Sequence, residues 1–297
     1  RPALSGLLLA SAGAIAFSGK AIIVKLSYVY GVDAVTVIMY RMLFALPFFI
    51  AMGLWAERQA IARENPLTRR DVIDIVGLGF VGYYLSSYLD FLGLQYITAS
   101  LERLILYLNP TLVVLLGWAV YKKPVQPIRM LAMAVSYSGV LLVFSHELSL
   151  AGANVALGGS LVFGSAVSYA VYLLYSGQLV QRIGSLRLVG WATSVACVCC
   201  IAQFLLLRPL SAAVVPVEVL WLGVLNAVAC TVAPVLMVMM AIERIGAALA
   251  AQTGMIGPMS TIALGVLLLD EPLNLSIGVG TLLVLSGVFI VSKYGAK

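Results

Sequence analysis

The sequence predicts an all-α integral membrane protein: ten transmembrane helices arranged as two inverted-topology repeats of five, with both termini cytoplasmic. Three observations lead there. The 297 residues are 62% hydrophobic and 10% charged, with a mean hydropathy of +1.07, whereas a soluble domain carries about 25% charged residues. Apolar runs of about 20 residues, the length that crosses a ~30 Å hydrocarbon core as a helix, recur along the whole chain. The second half of the chain also repeats the first at a fixed shift of 148 residues. Nothing resembles the ten-residue alternation of an outer-membrane barrel, and the short connections leave no room for a soluble domain.

The first run, 4–26, is too long for the apolar region of a signal peptide and has a counterpart later in the chain, so it reads as a spanning helix. Gly6, Ala10 and Ala14 repeat every four residues along it, as Ala250 and Gly254 do later, which suits close helix packing. The second run, 34–55, holds Arg41, and the third, 72–94, carries Tyr83, Tyr84 and Tyr88 before Asp90. The fourth, 99–121, has Glu102-Arg103 near one end and Asn109-Pro110 at its middle. The fifth, 128–145, follows Lys122, Lys123 and Pro124 and stops before His146, read as a solvated outer turn. The sixth, 156–178, places Tyr169, Tyr172 and Tyr175 three apart, a phenolic face. The seventh, 188–207, contains Cys197, Cys199 and Cys200, and the eighth, 219–241, contains Cys230. Adjacent cysteines with no His beside them read as small packing residues rather than metal ligands. The ninth, 246–269, holds Gly254, Gly257 and Pro258, and the tenth, 275–293, follows "DEPLN".

Orientation follows from the basic residues of the connections. With the N-terminus inside, Arg1, Arg58, Arg63, Arg69, Arg70, Lys122, Lys123, Arg129, Arg182, Arg187, Arg244, Lys293 and Lys297 fall on the cytoplasmic side, and only Lys25 and Arg208 fall outside. The net charge of +6 belongs to these loops rather than to nucleic-acid binding. The repeat pairs Ile97 with Ile245, Ala99 with Ala247, Leu101 with Leu249, Pro110 with Pro258, Gly117 with Gly265 and Pro124 with Pro272. Five spans is an odd number, so halves 1–146 and 147–297 run oppositely through the membrane. Inverted repeats are a transporter signature, with the substrate site near the midplane between them.

A helix with a central Pro, a turn reading "LLGWAVYKKPV" or "LLLDEPLN", and a helix closing on "SGV" occur in both halves. Together with "RMLFALPFF" and "AIAFSGKAI", these stretches make the whole chain similar to the EamA family of the drug/metabolite transporter superfamily, and in detail to its amino-acid exporter branch. The resemblance implies a ten-helix bundle whose central cavity is walled by the first, third and fourth spans of each half. It implies that Tyr83, Tyr107 and Tyr169 line that cavity. Asn109 stands where exporters carry a tryptophan, which leaves a roomier, more polar pocket. Tyr172 and Thr253 complete the candidate substrate-binding set.

Two further groups stand out. Pro110 and Pro258 each free a carbonyl mid-helix, which lipid does not tolerate unless protein or a cavity satisfies it, so they are candidate hinges. Lys20, Arg41, Asp90, Glu102 and Arg103 are charges inside spans, and three of their repeat partners are Val238 for Asp90, Ala250 for Glu102 and Ala251 for Arg103. They read as an outer ion-pair lock or gate apart from the substrate site, or as a cluster whose surplus positive charge holds a substrate carboxylate.

The expected protein is therefore a monomeric transporter of the bacterial cytoplasmic (inner) membrane, in contact with lipid. It exports amino acids or related small metabolites by alternating access, without cofactor, metal or nucleic acid. Drugs, nucleobases or sugar derivatives are the alternative cargo. A membrane enzyme would need a motif such as HExxH or paired midplane acids, and a channel would need rings of charge or a repeated filter; the sequence offers neither.

Overall fold

The computed structural model describes residues 2–59, 65–122, 125–151, 153–245, 253–254 and 256–294, and all regular structure among them is helical. Helix α1 (Pro2–Val29) turns through Gly31, at a left-handed φ of 74°, into α2 (Ala34–Glu57). Asp33 caps α2 by accepting hydrogen bonds from Val35 N at 3.0 Å and Thr36 Oγ1 at 2.7 Å. The third span opens on a Thr68/Asp71 capping box as α3 (Arg69–Gly79), widens into a π-helical segment (Phe80–Leu85), and continues as α4 (Ser86–Gly93). Helices α5 (Ala99–Leu106) and α6 (Asn109–Tyr121) make the fourth span, and α7 (Pro127–Ala151) the fifth.

The second half follows with α8 (Ala153–Ile183), α9 (Ser185–Leu207), α10 (Val217–Ala227), a π-helical segment (Val228–Val232), α11 (Ala233–Ile245), α12 (Ile256–Leu269) and α13 (Leu275–Tyr294). Among the described residues, eight helical stretches are long and apolar enough to cross a membrane, and α12 and α13 add two shorter apolar helices. Several sequence expectations fall on positions outside the described residues: Arg1, Arg63, Lys123, Pro124, Ala247, Leu249, Ala250, Ala251 and Lys297.

The 148-residue repeat is carried by the backbone more completely than by the side chains. Helices α3 and α10 begin and end at matching positions, and the π-helical segments start at Phe80 and Val228. Helices α7 and α13 begin at Pro127 and Leu275. Lys122 and Asp270, also 148 apart, both end their helices in the left-handed conformation at φ 52°.

Equivalent helices run antiparallel about a common pseudo-twofold axis. Helix α7 lies against α13 with Ser136 facing its own repeat mate Val284, and Ser136 Oγ lies 3.5 Å from Val284 O. A Cβ at Gly139 would stand 2.6 Å from Gly280 O, and one at Gly287 would strike Ala132 O. Those contacts map onto each other under the shift. Helices α2 and α9 pair in the same antiparallel sense, with Gly190 against the backbone of Gly53. The first helix of each half packs on the other half: α1 on α11 and α12, α8 on α4 and α6. Small residues permit the approach, as Gly6 and Ala10 of α1 do against Ile245 and Ala241.

Two local expectations are corrected. Pro110 does not kink a continuous helix. The fourth span breaks after Leu106, turns through Tyr107 and Leu108, and restarts at Asn109, so Pro110 sits in a first turn where its missing N–H leaves no helical bond unmade. Pro258 likewise lies in the first turn of α12. His146 is half-buried within α7 rather than in a turn.

Candidate functional site

Between the two halves lies a cavity of about 390 Å³. Its first-half wall comes from α1 (Phe17, Lys20), α2 (Arg41, Met42, Phe49), the third span (Gly82, Tyr83, Ser86, Ser87, Asp90) and the broken fourth span (Arg103, Tyr107, Asn109, Pro110). The second half adds Ser165 and Tyr169 of α8, Thr193 of α9, Thr231 and Val235 of the eighth span, and Val288 of α13. The second span thus joins the first, third and fourth in the first-half wall, through Arg41, Met42 and Phe49 of α2.

The phenolic wall is only partly as the tyrosine spacing suggests. Tyr83 meets Tyr169 edge-on with ring centroids 6.2 Å apart, and both line the cavity. Tyr172 does not line it. That ring sits behind Tyr83, 4.9 Å away and 4% exposed, with the two hydroxyls 3.2 Å apart, and it fills the place a side chain at Gly82 would need. Tyr175 is 48% exposed on the outside of the bundle. Three residues advance a helix about 300°, so each step slips ~60° around the axis and the stripe spirals off the cavity face. Thr253 precedes α12 and is not among the lining residues, nor is Pro258.

The charged residues share this cavity instead of forming a separate outer site. Lys20 Nζ lies 2.5 Å from Asp90 Oδ2 and 3.2 Å from Glu102 Oε1. Glu102 is fully buried behind that lysine, outside the lining, while Lys20, Asp90, Arg41 and Arg103 all border the space. Arg41 donates from Nε to Thr231 Oγ1 at 3.0 Å, and Thr231 Oγ1 donates to Asn226 O at 2.8 Å. The Arg41 guanidinium also covers the Phe91 ring at 5.3 Å, and that of Arg103 covers Phe17 at 5.2 Å. Arg41 Nη1, Arg103 Nε, Asp90 Oδ1 and Asn109 Oδ1 are buried without a hydrogen-bond partner.

Residues the sequence did not single out close both ends of the bundle. At one end Glu271 accepts hydrogen bonds from Ala99 N at 2.7 Å, Ser100 N at 3.2 Å and Ser100 Oγ at 2.8 Å, so the second half caps α5 of the first. Glu147 accepts from Thr98 beside it. At the other end Arg187 clamps Glu57 and donates to Asn65 O, and Arg182 pairs with Asp71. Asp270-Glu271 could be noticed as one half of the Lys-Pro/Glu-Pro turn pair, but its partner on α5 has no sequence signal. The described cysteines carry no disulfide, and Cys197, Cys200 and Cys230 are buried packing residues.

A helical bundle of two antiparallel repeats, apolar outside and enclosing a cavity lined by apolar, phenolic and charged side chains, has the architecture of a membrane transporter. The EamA-like transporter family matches residues 4–145 and 156–293, and the chain belongs to that family, as a transporter and not an enzyme. It is 30% identical over 305 aligned positions to the uncharacterized transporter YcbK of Bacillus subtilis (strain 168), across 98% of this chain and 92% of that protein. A solved crystal structure, described only as that of a protein, superposes with a TM-score of 0.65 over 98% of this chain and 96% of its own. At 16% identity that likeness speaks for the fold alone.

Proposed function

We propose that the chain exports amino acids or related small metabolites across the bacterial cytoplasmic membrane by alternating access between halves 1–146 and 147–297. Ten spans, cytoplasmic termini and a monomeric working unit belong to this reading. The basic residues of the connections support the orientation, and the resemblance to the exporter branch supports the outward direction. The observation that carries the proposal is the cavity between the halves, lined by Tyr83, Tyr107 and Tyr169 together with the charged Lys20, Arg41, Asp90 and Arg103. A volume of about 390 Å³ suits a small metabolite. Phenol rings offer apolar surface with one polar tip, and the charged side offers partners for ionised ends. Alternation would exchange the Glu271 cap at one end for the Arg187–Glu57 clamp at the other.

Proteoliposome counterflow tests the reading, with one labelled amino acid and a panel of unlabelled amino acids, nucleobases, sugars and drugs. Competition by amino acids, abolished by Tyr83→Ala or Tyr107→Ala in protein that still elutes as a folded species, is the expected result. Undiminished flux in both variants would remove the cavity from the path, and competition by the other classes alone would reassign the cargo.

A further inference from the structure

We infer that Arg41 and Arg103 form a carboxylate clamp in the central cavity, so that what binds there must carry an anionic carboxylate; this rests on reading the cavity as the substrate site. Three cations border the cavity, and they are not equivalent. The Lys20 ammonium is occupied by Asp90 and Glu102 at 2.5 and 3.2 Å. Neither arginine has a carboxylate within ion-pair distance among the described residues, although Arg41 is 6% and Arg103 8% exposed.

Each guanidinium is held on one side and left open on another. Thr231 takes the Arg41 Nε–H and leaves Nη1 without an acceptor. Arg103 lies over Phe17, 5.2 Å from its ring centre, with Nε unpartnered, and its Nη2 lies 2.8 Å from where a Cβ on Gly257 would stand. A buried guanidinium lacking acceptors is costly, and breaking buried charge pairs shows how steep that cost is. The planar fork matches a carboxylate in two-point contact, which a spherical anion such as chloride does not offer. With three cations against two carboxylates, the cluster is complete when one further negative charge enters.

The test uses purified full-length protein in detergent and reads thermal unfolding with matched probes at constant ionic strength: phenylacetate against phenylacetamide, and methionine against methioninamide. Both acids are expected to raise the melting temperature and both amides to leave it unchanged. Arg103→Gln should weaken acid binding roughly tenfold to a hundredfold, the loss of one charge-assisted hydrogen bond, with Arg103→Lys intermediate. Because the acid–amide comparison needs only the parent protein, a variant that fails to fold does not decide the matter. Amides binding as well as acids, chloride matching the acids, no stabilisation by either acid, or full binding by Arg103→Gln and Arg41→Gln would each overturn the clamp. Counterflow separates this from the transport reading. Acid binding lost in Arg103→Gln from a protein that moves nothing keeps the clamp and removes the transport assignment. Robust flux of the amides does the reverse.

Discussion

Replacing Lys20 with Met asks how much of the bundle rests on one buried ammonium. Methionine keeps the apolar stem and removes the charge. Lys20, Asp90 and Glu102 have side chains 7%, 3% and 0% exposed, and the ammonium stands 2.5 Å from one acid and 3.2 Å from the other. Its removal leaves two adjacent, largely buried carboxylates without their ion-pair partner. Truncating one partner of a buried pair costs about 3–5 kcal/mol, because the remaining charge is stranded rather than because the pair is strongly favourable. At about 2–4 °C per kcal/mol for a chain somewhat smaller than this one, the melting midpoint should fall by roughly 6–20 °C. Adding Glu102→Gln to Lys20→Met removes the more deeply buried stranded acid and should recover part of the loss, with a coupling of at least ~1 kcal/mol. Tryptophan-fluorescence melting in detergent, with gel filtration to confirm a folded species, measures both variants. A parent-like melt for Lys20→Met, or strictly additive losses in the double variant, would refute the reasoning.

Other perturbations separate the site from its scaffold. Gly257→Ala places a methyl 2.8 Å from Arg103 Nη2, the far end of a flexible side chain, so the fold should survive while substrate affinity in counterflow falls several-fold. Gly287→Ala instead meets the Ala132 carbonyl and Ser136 at the α7–α13 crossing, where backbone cannot yield, and should cost about 1–3 kcal/mol, whereas Gly177→Ala meets nothing within 4 Å and should melt like the parent. Glu271→Ala strips the α5 N-terminus of an acceptor for two backbone N–H groups and a hydroxyl, and should lower stability by about 1–2 kcal/mol, more than Glu271→Gln does.

The helices and the repeat were legible because lipid and antiparallel packing leave strong sequence traces: long apolar runs, and Gly or Pro wherever two backbones touch or a helix restarts. The π-helical segments were not legible. Nothing in "FVGYYL" or "VACTV" departs from ordinary helical composition, so the widening shows only in the folded backbone. The placing of Tyr172 failed for a related reason. A three-residue spacing names neighbours along a helix but not which of them the partner helix covers, and Gly82 on the opposite helix decides that.

The separation expected between a symmetric midplane site and a one-sided charge lock also dissolves, and the reason is geometric. Depth along a helix is readable from sequence, whereas convergence of four helices is not. Asp90 and Glu102 lie on separate short helices of the third and fourth spans, yet Lys20 of α1 reaches both acids, at 2.5 and 3.2 Å. The backbone of this chain is twofold, down to paired left-handed residues at Lys122 and Asp270, but the charged residues that line the cavity all come from the first half. A symmetric frame can close at either end. Charges from the first half and tyrosines from both halves line one cavity, so a small amphipathic molecule there would meet ionised groups and phenol rings together.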